Sequence, residues 1–200
     1  MCCYPQDMKQ SRELSPLQRA VALHSQEVLG EQAEIYTYAS DDGLLELPVL
    51  VAPDNPAFGA STFATIGLSD HPQPNYGSMV RLELIGSCDT PVPEFGQMLS
   101  SCVFECLKNE RPINYGVVFE NLLDRYGVSD TMKHVTFVAP FLWDGLTKAR
   151  LLEHDVLWLL ALPISDEERA YIKAHGIDAL EKRLEAADVD ITDITRASVG

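Results

Sequence analysis

The sequence predicts an α+β fold: a mixed, mainly antiparallel sheet of about six to eight strands, packed by three to four helices. Three observations lead there. Apolar residues recur at helical spacing in two stretches, Leu17 to Val28 and Phe95 to Leu107. Short runs such as Glu34 to Ala39 and Leu47 to Ala52 are rich in strand-forming residues and bounded by turn signals. Met79 to Ile85 alternates, with Val80, Leu82 and Leu84 on one side and Arg81 and Glu83 on the other. That alternation describes a sheet with one covered and one wetter face, usual for antiparallel pairing. No internal repeat and no linker interrupts the chain, so residues 14–200 read as a single domain. Residues 1–13 read as a loose polar segment.

The elements follow in order. Ser15 as N-cap, Pro16 at the first helical position and Gln18 three residues after the cap start the first helix. Gly30 ends it. His24 lies on its apolar stripe and reads as a packing residue. Asp41-Asp42-Gly43 is a hairpin-type turn between the first two strands. Pro53, Asp54, Asn55 and Pro56 make the next loop. A strand through Phe63, Thr65 and Ile66 runs into Gly67, and Ser69 and Asp70 are suited to hydrogen-bond back onto a turn. A loop from His71 to Gly77 leads to the strand Ser78 to Ile85. The second helix covers Phe95 to Lys108, before Arg111-Pro112. Strands follow at Tyr115 to Glu120 and His134 to Phe141, separated by a polar loop. Asp144 to Asp155 has no clear form. Val156 to Leu162 is an almost continuous apolar run, as in a central strand. Ser165 with Glu168, and Asp178 with Glu181, give two capping-box patterns for two more helices. Asp190 to Ile194 alternates and reads as a last strand.

Two hundred residues, 46% of them hydrophobic, are enough for a substantial core. The formal net charge is -15. A chain this acidic is repelled by phosphate backbones and anionic membranes, so nucleic acid and membrane are not expected partners. Basic proteins are favoured. Five cysteines, with no Cys-x-x-Cys pair, give no zinc or redox motif and no disulfide framework. With no secretory signal or bilayer-spanning run in view, the expected compartment is the cytoplasm. No cofactor is implied.

Candidate chemistry is sparse. Ser69, Asp70 and His71 are adjacent, but a catalytic triad is set by the fold and not by adjacency. There is no Gly-x-Ser-x-Gly elbow, no phosphate loop and no His spacing suited to a metal. Glu46, Asp70 and Glu83 lie on neighbouring strands or their ends and offer an acid/base pair. A small hydrolase or transferase built around the Gly67–Asp70 turn is therefore one reading.

The other comes from a resemblance. Thr65-Ile66-Gly67-Leu68-Ser69-Asp70 resembles the Ile-Ser-Phe-Gly-Leu-Ser-Asp type of motif in the suppressor of fused domain. Val80-Arg81-Leu82-Glu83-Leu84 then corresponds to a Phe-Glu-Leu-Thr type of strand. Downstream, His134 to Phe141, Val156 to Ile164 with its Leu-Pro-Ile, and the tail from Gly176 to Arg196 are similar to the bacterial branch of that family. The His-Trp-His-Tyr lead of animal members is replaced by Ser61-Thr62-Phe63-Ala64. The resemblance implies a binding module and no enzyme. Bacterial single-domain members resemble immunity proteins that neutralise a secreted toxin by direct binding. It also implies protein or peptide capture near Gly67, Leu68, Ser69 and Asp70, and the net charge of -15 suits a basic toxin domain as the partner.

Overall fold

The computed structural model describes residues 13–75, 78–89 and 92–200. Nearly all of the expected loose segment 1–13, with Cys2 and Cys3, lies outside them. Among the described residues there are nine strands and four helices. The strands are β1 (Glu34–Ala39), β2 (Glu46–Pro53), β3 (Ala60–Thr65), β4 (Gln73–Asn75), β5 (Ser78–Asp89), β6 (Val118–Phe119), β7 (Met132–Val138), β8 (Lys148–Leu151) and β9 (His154–Ser165). The helices are α1 (Pro16–Leu29), α2 (Glu94–Asn109), α3 (Asp166–His175) and α4 (Ile177–Ala186). The sheet runs β1-β2-β3-β5-β9-β7-β6, with β4 added to β5 and β8 to β9. Every pairing is antiparallel except the central one, β5 with β9, where Arg81 faces Val156 and Ile85 faces Leu160. The fold is α+β as expected.

Both faces of the sheet are covered, which corrects the expectation of one wetter face. Even-numbered β5 residues Leu82 and Leu84 point into a cluster with Phe95, Met98, Leu99 and Cys102 of α2. Gly86 lets α2 come close: a Cβ there would sit 2.8 Å from the Phe95 ring. On the other face, Ile85 joins Leu17, Val21 and Leu29 of α1 and Leu180 and Leu184 of α4. Odd-numbered Glu83 therefore points into a covered face and is fully buried. Its alternation with apolar neighbours fixes the face; what covers that face comes from elsewhere in the chain.

Other differences have local causes. The expected strand at Asp190–Ile194 is a pair of turns. Asp190 Oδ1 accepts from the backbone N–H and the hydroxyl of Thr192, and Asp193 Oδ1 does the same for Thr195. These Asp–Thr pairs offer the backbone an alternative to a ladder. The expected box at Asp178 is not a cap, because α4 starts at Ile177 directly after Gly176, which also closes α3. The Ser165–Glu168 and Ser15–Gln18 boxes both form. β4 falls inside the expected loop 71–77, and β8 inside the segment without clear form.

Candidate functional site: a buried carboxylate under the Gly67–Asp70 turn

β3 ends at Thr65, and Gly67 then takes φ +136°, a conformation that side-chain-bearing residues rarely adopt. A Cβ there would lie 2.9 Å from Gln18 Nε2 of α1. The chain continues as a 3-10 turn over Leu68–Asp70, closed by Asp70 N–H to Gly67 O and His71 N–H to Leu68 O. Leu68 is fully buried in the α2-side cluster.

This geometry aims two backbone N–H groups the same way, and Glu83 of β5 fills the space they face. Glu83 Oε1 accepts from Gly67 N–H at 2.8 Å, Ser69 N–H at 3.1 Å and the Ser69 hydroxyl at 2.7 Å. Its Oε2 accepts from Thr65 Oγ1 at 2.6 Å, and Thr65 Oγ1 in turn accepts from Leu84 N–H at 2.8 Å. Arg81, on the same side of β5, donates to Ser69 O at 2.6 Å and stabilises the turn, not the carboxylate. Burial pushes the Glu83 carboxyl above its ordinary range, and the four donors oppose that push.

Asp70 connects this turn to α1. Ser15 Oγ accepts from Gln18 N–H as the N-cap and donates to Asp70 Oδ2 at 2.8 Å. Of the four expected site residues, Gly67, Leu68 and Ser69 are buried and Asp70 is half-buried. The polar groups of Ser69 and Asp70 reach β5 and α1, where the sequence pointed to bonds within their own loop.

The catalytic arrangement does not assemble. Ser69 is fully buried, whereas His71 is exposed. The Ser69–Glu83 contact has the shape of a nucleophile and base, but both groups are sealed from solvent, so no substrate atom meets them. Glu46 is exposed at the start of β2 and does not share Glu83's buried setting. Among the described residues no group of three His, Cys, Asp or Glu side chains converges in a way that could hold a metal ion. A surface hollow of about 530 Å³ is open and lies between Tyr115 and the α3–α4 corner. There the Tyr115 hydroxyl hydrogen-bonds Asp178 and Glu181, and burial together with those carboxylates holds the phenol well above its ordinary range. It stays protonated and offers no base.

A second buried carboxylate escaped sequence reasoning except as a cap. Glu168 is fully buried and accepts from both ends of the Arg196 guanidinium, at 2.6 and 2.9 Å. It also accepts from Ser165 N–H and Val199 N–H at 3.1 Å. Arg196 donates further to Pro163 O at the end of β9. The C-terminal tail is thereby fastened to α3 and β9. Nothing in the local sequence marks Arg196 as buried.

With this geometry in place, the comparisons are specific. A family model described as Suppressor of fused protein (SUFU) matches residues 43–197. The chain is 34% identical over 174 residues to the Immunity protein YqcF of Bacillus subtilis (strain 168), covering 85% of this chain and 90% of that protein. Among solved structures, a SUFU homologue from Neisseria gonorrhoeae superposes with a TM-score of 0.70 at 16% identity, covering 92% of this chain and 97% of that one. A chain of the Sufu-Fu complex gives 0.67 at 14% identity, with 94% and 93% covered. Drosophila Suppressor of Fused gives 0.60 at 13% identity, with 92% of this chain but 51% of that one covered.

Proposed function

The chain belongs to the suppressor of fused family, and on that premise we propose that it is a cytoplasmic protein-binding module that neutralises a basic toxin domain by direct binding. One observation carries the reading: its likeness to an immunity protein runs through 85% of the chain and 90% of that relative. The net charge of -15 supports a basic partner, because opposite potentials speed encounter. Free thiols at Cys88, Cys102 and Cys106 are consistent with a reducing compartment. In this reading Gly67, Leu68 and Ser69 are scaffold, and the half-buried Asp70 is the one residue of the turn that reaches solvent.

Co-expression with the products of adjacent genes tests it. The expected result is rescue of growth by this chain from one toxic product, and co-elution of the two proteins with an association rate that falls as salt rises. Neither rescue nor co-elution, at low or high salt, would overturn the reading.

A further inference from the structure

Away from the Gly67–Asp70 turn, three connections are tied together: residues 30–33 after α1, 54–59 between β2 and β3, and 139–147 between β7 and β8. Asn55 joins them. Its Nδ2 donates to Leu29 O at the end of α1, and its Oδ1 accepts from Trp143 Nε1 at 2.8 Å and Thr62 Oγ1 at 3.0 Å. The 54–59 loop is closed further by Asn55 N–H to Ala60 O and by Gly59 N–H to Asp54 Oδ1. The 139–147 loop is held to α1 by His24 Nε2 and Gly145 O, 2.9 Å apart.

Each of the two loops joined by the Asn55–Trp143 bond holds a phenylalanine in water. Phe58 is 94% exposed and Phe141 64% exposed. Their backbones are braced, so ordering them on binding costs little. Rigid exposed aromatics are the usual anchors of protein interfaces. The charged residues of the three connections are all acidic. Glu31, Asp54 and Asp144 are exposed, one in each connection, and residues 20–80 and 134–147 contain no lysine or arginine at all.

We propose that this group of three loops is the docking surface, and that its occupant is a basic protein that packs apolar side chains on Phe58 and Phe141 and sets lysine or arginine against Glu31, Asp54 and Asp144. The proposal rests on the protein-binding reading above and names the surface that carries it. A second copy of the chain is the poorer occupant, because it would bring the same acidic rim against itself.

The test is selection of a random dodecapeptide phage library on the immobilised full chain at low salt, in parallel with the Phe58→Ser/Phe141→Ser variant. Clones rich in Lys or Arg together with apolar residues should emerge, with recovery about tenfold or more lower on the variant. Glu31→Lys/Asp144→Lys should abolish the preference for basic clones. Both variants should melt with the wild type, since none of the replaced side chains is in the core, so lost binding is distinguishable from lost folding. Equal recovery on wild type and the Phe variant overturns the proposal, as does the absence of any enriched clone. A wild-type dimer in sedimentation that the Phe variant dissolves also overturns it, in favour of self-association. The selection uses no toxin, so it can succeed where the co-expression assay fails, and the reverse.

Discussion

Glu83 and Glu168 are both fully buried carboxylates, yet they are held in opposite ways. Glu83 meets four neutral donors from Thr65, Gly67 and Ser69 and no cation. Glu168 meets the two-pronged guanidinium of Arg196. The donors to Glu83 lie within five residues of one another, on a turn whose shape the carboxylate helps to define. The partner of Glu168 lies 28 residues away and belongs to a tail with no regular structure of its own. A ring of backbone and hydroxyl donors organises a local turn. A charge pair fastens a distant segment. Neither needs a substrate to explain its presence, which is why burial of an acid in this fold reads as architecture.

The sharpest way to break the comparison is to remove each acceptor or partner outright. Glu83→Leu leaves the N–H groups of Gly67 and Ser69 and the Ser69 hydroxyl buried without an acceptor. At about 1–3 kcal/mol for each orphaned donor, the expected loss is about 4–6 kcal/mol in urea unfolding, the largest of the series. A loss of less than about 1 kcal/mol would mean that water or a rearranged turn satisfies these groups, and the ring would not be an organising element.

Arg196→Met comes next. It strands Glu168 as a buried unpaired charge, with an expected cost of about 3–5 kcal/mol. The double variant Glu168→Gln/Arg196→Met should recover most of it, because a neutral glutamine keeps an acceptor for Ser165 N–H and no longer needs a cation. If the double variant is as unstable as the single one, the tail is held by packing and not by the pair.

The two carboxylates also differ in how far the sequence gave them away. The capping box at Ser165 and Glu168 was legible, as were α1, α2, the β1–β2 hairpin and the central run of β9, because each depends on neighbours within a few residues. The turn at Gly67–Asp70 was legible too, both as turn chemistry and as the mark of its family. Its acceptor was not. Glu83 was singled out only as one member of an acid/base pair, since Arg81 and Glu83 alternating with Val80, Leu82 and Leu84 look like a wet face. The cover over that face comes from α1 and from the turn, 13 or more residues earlier in the chain. Arg196 and Phe58 illustrate the same limit in opposite senses. An arginine in a polar tail is buried, and a phenylalanine in a loop is left in water. Periodicity speaks only for regular elements, and neither residue belongs to one.

The smallest expected effect is the most discriminating. Glu83→Gln keeps an acceptor oxygen for the Gly67 and Ser69 donors, and its NH2 can donate to Thr65 Oγ1, whose own hydroxyl proton then turns to Leu84 O, 3.4 Å away. The cost at neutral pH should be about 1 kcal/mol or less. The sign of its pH dependence decides which force rules the site. Burial raises the folded carboxyl above its ordinary value of 4.5 and the four donors work against that. With the folded value the higher of the two, the native protein holds a proton that the unfolded chain has released. The stability contributed by Glu83 is then complete below 4.5 and declines as pH rises through the raised folded value. Urea unfolding of wild type and Glu83→Gln across that interval should show the wild type's advantage shrinking as pH increases. An advantage that grows instead would mean that the donors outweigh burial. Glu83 would then be a stably ionised anion without a cation, and only the source of its compensation would separate it from Glu168.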